Sequence, residues 1–534
     1  MLADSSKCGL QRPQCAQCVH SNRVCTGYQR RTVFIVNQEH DLHRSSSKAA
    51  RDGSNYDSPV SCDKRQIDTD QVIAPAWKKI KRVKTVSLIP AYRDQLLDTF
   101  IRGYVPLGQF EEADRRSWLH ELAMVAEKPP VLVTSMLCMS MSWLGKAQGD
   151  ESLRHTALSL YTKGLKELQQ SLWDPQQMYS DATLAACLLL GIYELYACPG
   201  GDRRGYISHC SGCERLVQLR GPEAHREGLG HALFLAFRVQ GICTALEVQR
   251  PTFLAEKTWI EVPWQSPAKG KPAASKTIAD RIWDNIALAP GIFSITNKFN
   301  KMSPVEIISN ALNIIDLSWE MDEELLSLYN SLECSIPGPL YWPKLSTTPN
   351  PADNEVDGKV FPVAFEFINL KTAMTCMLYW STITMLYSGF VSLYGVLQQI
   401  PFTREFALES KHAHPLLLEA MPECGDTCIC NGHGCLTTID VRKLRPLGIR
   451  ADVATPARNV MQSVEYCTKP EMLDYGASSV INPLAIVVDT IAHYDHCRKE
   501  VEWGNHVLRR SEELVPYLKH VRTAKEQGLL RNKG

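Results

Sequence analysis

AMTCMLYWSTITMLYSGFVSLYGVL, residues 373–397, runs for 25 residues without a charged side chain. A helix of about 20 apolar residues spans a bilayer, so the stretch is long enough to cross one. Its composition argues otherwise. Ser, Thr and Gly occur throughout it, and Tyr379, Tyr387 and Tyr394 are spread along it instead of forming belts at its ends. The reading that accommodates both is a central helix wrapped on all sides by other helices, with no membrane involved.

The surrounding sequence supports a helical wrapper. From Ile89 onward, AYRDQLLDTFIRGYV sets Tyr92, Leu96, Leu97, Phe100, Ile101 and Tyr104 at alternating spacings of three and four, one face of a helix. Similar stretches recur at 113–126, 131–144, 152–172, 181–197, 229–249, 303–333, 363–398 and 480–517. Proline breaks at Asp174-Pro175, Cys198-Pro199 and Gly221-Pro222 fall between these blocks, where helices have to end. No alternating strand series with Asn-Gly or Asp-Gly turns is evident, and no fixed-period repeat. The predicted fold class is mainly α: an all-helical domain over 89–525, interrupted by loops at 336–362 and 410–455.

At 534 residues and 44% hydrophobic, the chain can bury a large core and should contain more than one structural unit. Its formal net charge is zero, but residues 1–90 carry 15 Lys/Arg against 8 Asp/Glu. Attraction to a polyanion is therefore concentrated at the N-terminal end. Several of the 19 cysteines, among them Cys138, Cys187, Cys243 and Cys376, sit in apolar helical runs where a thiol acts as a small hydrophobe. A reducing compartment is expected, and the first residues have no secretory pattern.

Residues 31–88 are polar, rich in Ser and Asp and without hydrophobic period, as a disordered linker should be. The linker ends in WKKIKRVK, where Lys78, Lys79, Lys81, Arg82 and Lys84 form a basic run. Such a run suits a nuclear-import signal, a phosphate-contacting arm or a solvated linker. Ahead of the linker, Cys8, Cys15, Cys18 and Cys25 follow the pattern C-x6-C-x2-C-x6-C, four soft thiolates of the number that tetrahedral zinc takes. A second group, Cys424, Cys428, Cys430, His433 and Cys435, is rich in ligand types but fits no finger spacing. It is open to a metal, a redox-sensitive or an irregular-loop reading. His209, Cys210, Cys213 and Glu214 cluster in YISHCSGCERLV, where a helix would put His209 and Cys213 on one face as packing residues. No nucleophile elbow, phosphate loop, dinucleotide fingerprint or HExxH motif occurs, and no enzyme is expected.

KCGLQRPQCAQCVHSNRVCTGY, residues 7–28, resembles the C-terminal two-thirds of the fungal binuclear zinc cluster. Cys8, Cys15, Cys18 and Cys25 fall on the third to sixth cysteines of its six. The later stretches IPAYRDQLLDTFI (89–101), HCSGCERLVQLRGPE (209–223), FLAFRVQGICTAL (234–246) and SVEYC (463–467) resemble the regulatory domain attached to such clusters. The resemblance implies an all-α domain, zinc as cofactor, a nuclear location and control of a metabolic or secondary-metabolite gene cluster. Partners expected on this basis are DNA, the transcription machinery and a second copy of the chain, although no sustained heptad follows the cluster.

The departure from the family is equally specific. The family's second cysteine would fall at Met1, and the space that normally carries basic DNA-reading residues holds Leu2, Ala3, Asp4, Ser5, Ser6 and Lys7. The partial cluster, residues 1–30, is therefore expected to hold one zinc at most. It keeps phosphate contacts from Lys7, Arg12, Arg23, Arg30 and Arg31 but not base readout. The alternative function is an interaction protein that has lost DNA binding and acts through its helical domain.

Overall fold

The computed structural model describes residues 89–109, 118–125, 127–267, 272–356, 358–403, 414 and 436–526, all within the unit Arg82–Gly534. The expected zinc cluster, linker and basic run lie outside the described residues.

The first group of helices is α1 (Ile89–Tyr104), α2 (Trp118–Met124), α3 (Pro130–Gln148), α4 (Glu151–Trp173), α5 (Asp181–Ala197), α6 (Arg204–Arg220) and α7 (Gly228–Val248). Local chemistry sets their ends. Pro130 opens α3 at a position whose N–H would be unsatisfied anyway. The helix then stops at Gly149, whose φ of 64° is left-handed, and Asp150 caps α4 by accepting from the N–H groups of Ser152 and Leu153. That tight connection folds α4 back along α3. Helix α5 begins under a Ser180 cap and is apolar almost all round; Leu184, Ala185, Ala186, Leu188, Leu189 and Leu190 are all buried. It packs against α3, α4, α6 and α7, so it has no face left for solvent.

The second group follows a short turn of helix α8 (Lys257–Glu261). It comprises α9 (Ile278–Ile286), α10 (Ala289–Thr296), α11 (Pro304–Ser335), α12 (Leu370–Gln399), α13 (Ala454–Cys467), α14 (Leu473–Ile491), α15 (Arg498–Ser511) and α16 (Tyr517–Glu526). Capping boxes start α9 (Thr277 with Asp280) and α11 (Ser303 with Glu306). The charge-free stretch quoted above lies within α12, which contacts α9, α11, α13 and α14. Its hydroxyls bond back to its own backbone: Ser381 and Thr382 to Leu378 O at 2.9 and 2.7 Å, and Thr384 to Trp380 O at 2.7 Å. A buried helix can therefore carry these side chains without leaving them unsatisfied.

Mainly α is the observed class, with two departures from the sequence reading. Residues 363–367, expected to open the long helix, form strand β2 (Val363–Phe367). It pairs antiparallel with β1 (Tyr341–Leu345) in the register Tyr341↔Phe367 to Leu345↔Val363. The cause is aromatic packing. Tyr341 lies 4.6 Å from Phe365 and 5.2 Å from Trp380, and Phe367 lies 5.3 Å from Tyr466, centroid to centroid, so the hairpin fills the space between α12 and α13. Glu465 of α13 fastens the chain just beyond β1, accepting from the Oγ of Ser346 and from both N and Oγ1 of Thr347. Burial alone would raise its pKa, but the donors from Thr347 and Ser346 hold it down to about 2. A two-residue pair joins β3 (Phe402–Thr403) to β4 (Leu436–Thr437), which lies inside the expected second loop together with 3-10 turns at Val441–Lys443 and Gly448–Ala451. The other departure is at 480–517, which breaks into α14, α15 and the start of α16 around 3-10 and turn residues.

The two groups are joined by polar contacts between distant parts of the chain. Trp143 Nε1 donates to Asp474 at 2.9 Å, and the Tyr196 hydroxyl shares hydrogen bonds of 2.8 Å with Tyr104 and with Ser478. Lys146 Nζ donates to the carbonyls of Glu513 and Leu514 at 2.6 and 2.8 Å. Tyr517 stacks edge-on against Tyr206 at 4.5 Å. Among the described residues one helix, α7, is long and apolar enough to cross a membrane by length and composition. It carries the fully enclosed Arg238 near its middle, paired within the fold.

The glycines at helix crossings give a direct test of this packing. A Cβ at Gly476 would overlap the Cys467 carbonyl and lie 2.5 Å from Met472 Cβ, whereas one at Gly395, inside α12, would meet nothing within 4 Å. Gly476→Ala is expected to cost about 1–3 kcal/mol or more by overpacking against backbone that cannot rotate away. Gly395→Ala should be neutral or stabilising by up to about 1 kcal/mol, because the unfolded chain loses freedom. Thermal unfolding followed by far-UV circular dichroism distinguishes the two.

Candidate functional site

The residues that sequence reading assigned to zinc and DNA (Lys7, Cys8, Arg12, Cys15, Cys18, Arg23, Cys25, Arg30 and Arg31) lie outside the described residues. So do Lys78, Lys79, Lys81, Arg82 and Lys84 of the basic run and Cys424, Cys428, Cys430, His433 and Cys435 of the late loop. Chemistry that the structure positions is therefore in the helical body, at two places.

The first is the HCSGC stretch on α6. As the spacing predicted, His209 and Cys213 share a face and are buried, while Glu214 points outward. The sequence alone did not reveal what they face. Cys187, from the apolar run of α5, places its sulfur 3.9 Å from His209 Nδ1 and 3.8 Å from the His209 carbonyl. A hydrogen bond from Cys213 and the adjacent imidazole pull the Cys187 thiol below its ordinary range, and burial pushes Cys213 up. Cys210 faces away from this pair. It accepts from Gln240 Nε2 at 2.9 Å, and burial raises it to about 11. On the other side Tyr161 donates to Glu194, whose carboxyl is raised by burial. Among the described residues no group of three or more His, Cys, Asp or Glu is arranged to hold a metal ion.

The second place is an ion cluster beneath α7. Arg238, buried with 2% of its side chain exposed, pairs with Asp284, and its Nη1 donates to the Asp280 carbonyl at 3.0 Å. Lys276 reaches the other oxygen of Asp284 at 2.5 Å. Both cations lie over Trp264, at 5.2 and 4.3 Å from the ring centroid. Burial is the largest influence on each partner, lowering Arg238 and raising Asp284 despite their attraction. The cluster thus fixes α9 against α7 without adding much net stability, but opening it strands a charge. No sequence signal linked Arg238 to Asp284, 46 residues later, because nothing periodic relates the two.

Two hollows accompany these sites. A cavity of about 180 Å3 between α1 and α3 is lined by Leu97, Val133, Met136 and Leu137, with the buried hydroxyl of Ser140 lacking a partner. A shallow open groove of about 430 Å3 runs along α11 past Glu323, Leu326, Asn330 and Cys334. Neither brings together a nucleophile, a base and an oxyanion donor.

Two predictions follow from these charges. Arg238→Met should lose about 3–5 kcal/mol in a denaturant titration by leaving buried Asp284 with Lys276 alone, and Arg238→Met with Asp284→Leu should lose less, because the half-paired carboxylate is then gone. His225 is fully enclosed and its Nδ1 donates to the Gly230 carbonyl at 2.9 Å, with burial depressing its pKa from 6.5 to about 4. The unfolded chain binds a proton in that window and the folded one does not. Stability attributable to this residue is therefore present above pH 6.5 and falls by about 3 kcal/mol as the pH drops to 4. In His225→Asn the unfolding midpoint should fall less steeply between those pH values than in the unaltered protein.

Residues 95–261 match the family model described as the fungal specific transcription factor domain. That span contains α2 to α8 and most of α1, including Cys187, His209, Cys213 and Arg238. The chain is also 33% identical over 118 residues to an uncharacterized protein of Emericella nidulans, a region covering 22% of this chain and 25% of that protein. The chain thus aligns with about a quarter of that curated relative's length. No solved structure matches. The helical segment 95–261 is accordingly similar to the domain that fungal transcription factors carry.

Proposed function

We propose that this protein is a fungal transcription regulator whose helical body is the regulatory part. The observation carrying this reading is the match of residues 95–261 to the fungal specific transcription factor domain. The chemistry of the described sites agrees with it. Their buried charges and thiols are tied to packing between helices, and the two hollows lack a reactive set, as suits a module that responds to partners instead of turning over substrate. The protein acts in the nucleus, is imported through the basic run at 78–84, and controls a metabolic or secondary-metabolite gene cluster.

DNA contact belongs to the N-terminal segment. Cys8, Cys15, Cys18 and Cys25 supply one tetrahedral set of thiolates, which suits one zinc and not two. Lys7, Arg12, Arg23, Arg30 and Arg31 offer contacts to phosphates, which are sequence-blind and salt-sensitive. The helical body then reaches promoters through other regulators and the transcription machinery, with a second copy of the chain as a further partner.

Tethering the full chain to a heterologous DNA-binding domain upstream of a reporter tests the regulatory role. A several-fold change in transcription is expected, and an unchanged reporter in several fungal hosts would remove the proposal. Metal analysis of the purified chain should return no more than one zinc, and gel-shift affinity should fall steeply between about 50 and 200 mM salt without preference between duplex sequences. Two zinc ions per chain, or a salt-resistant preference for one site, contradicts the weak-contact reading.

A further inference from the structure

The hollow between α1 and α3 holds about 180 Å3, more than the roughly 150 Å3 of an apolar cavity that admits benzene. Its two walls run in the same direction. Phe100 meets Trp143 at 5.8 Å near their C-terminal ends, so the first turns of both helices lie together at the other end. At that end stand Arg93 and Lys128. The Lys128 ammonium donates to the carbonyls of Ala123 and Val125 at 3.1 and 2.7 Å, which leaves one of its three N–H groups. The middle is apolar, formed by Leu97, Val133, Met136 and Leu137. Ser140 lies two turns beyond Val133, about 10 Å along the α3 axis, and its hydroxyl is buried without a partner. Ser135 on the same helix closes on the Val131 carbonyl at 2.8 Å, so the Ser140 hydroxyl forgoes a bond of the kind its own helix offers. A water there would meet that hydroxyl and apolar side chains, short of the about two to four polar partners that hold a buried water.

We propose that this hollow binds a small monocarboxylate with an apolar, ring-sized body and a hydroxyl at its far end, the chemistry of a hydroxybenzoate. The carboxylate takes the Lys128 N–H and the Arg93 guanidinium, charge-assisted bonds that a neutral ligand cannot make. Asp94, exposed at the same end, offsets one of these two cations, so the charge there matches a single carboxylate. The ring lies against Leu97, Val133, Met136 and Leu137 and removes its own apolar surface from water. Its hydroxyl meets Ser140, which gains the partner it lacks. A second carboxylate at the Ser140 end would be a buried charge with one hydroxyl to pair it, and this excludes a rigid dicarboxylate of the same length. A bound ligand touches both walls and so holds α1 on α3. Binding is read on the purified chain and does not depend on the transcriptional role.

The test is isothermal titration calorimetry of the full chain with 4-hydroxybenzoate, benzoate, phenol and terephthalate. 4-Hydroxybenzoate is expected to bind at one site per chain with a dissociation constant of about 0.1–1 mM, within reach of a ligand of about ten heavy atoms. Benzoate, which lacks the hydroxyl, and phenol, which lacks the carboxylate, should each bind at least about threefold more weakly, and terephthalate should not bind. Ser140→Ala should weaken 4-hydroxybenzoate by about three- to tenfold and leave benzoate unchanged, a split that a general loss of structure would not produce. Val133→Phe, which fills the hollow, should abolish binding of every probe; if that variant does not fold, the Ser140→Ala split decides. No heat from 4-hydroxybenzoate at about 10 mM overturns the proposal. So does equal affinity for benzoate, phenol or terephthalate, unchanged affinity in Ser140→Ala, or undiminished binding in folded Val133→Phe.

Discussion

Helix α12 is the constraint around which the second half of the molecule is organised. Its sole charged residue is Lys371, near its start, and from Thr375 to Thr384 every side chain is buried, with the rest of the helix mostly buried and Ser392 exposed. Each fully buried Leu, Phe or Met contributes about 1.5–3 kcal/mol relative to exposure, so leaving such a helix bare to water would cost far more than its own propensity could return. The wrapper is therefore obligatory. Helices α9, α11, α13 and α14 contact it, and where helices leave a gap near Trp380 the β1–β2 hairpin fills it with Tyr341, Phe365 and Phe367. The hydroxyls of Ser381, Thr382 and Thr384 close on its own backbone, so the interior meets no unpaired donor from them.

Much of this was legible from residue spacing, because helices with one or more apolar faces announce themselves every three to four residues. The apolar runs at 131–144, 152–172 and 181–197 each lie inside an observed helix, and that at 303–333 fills α11 from its Ser303 cap onward. The hairpin was hidden for a physical reason. VAFEF abuts the apolar α12 with one residue, Ile368, between the strand and the Asn369 cap, and its partner YWPKL contains a proline that discourages a strand reading. What decides the matter is the ring contacts of Phe365 and Phe367 with residues of other elements, and no local window contains those. The break after Ile491 likewise depends on how α15 turns back over α14, where Gly504 presses against Val488.

The sites show the same division. The i, i+4 spacing of His209 and Cys213 identified a buried face, since spacing along one helix is local information. Cys187 and Asp284 were invisible as partners because they arrive from other helices, and only tertiary packing selects them from a chain with 19 cysteines and 58 acidic residues. Zinc-type cysteine spacing is legible for the opposite reason: a short segment folding around a metal brings its ligands from nearby positions.

The fastening of α16 onto α5 and α6 has a consequence for synthesis. Tyr517 and Val515 cover Leu195, Tyr196 and Tyr206, and Lys146 waits for carbonyls at 513 and 514. The helices translated first are thus left with an uncovered apolar seam until nearly the whole chain has cleared the ribosome. At about 5–20 residues per second that interval is on the order of tens of seconds. Through it, the nascent chain carries that apolar seam exposed to water, and folding of α16 is what closes it.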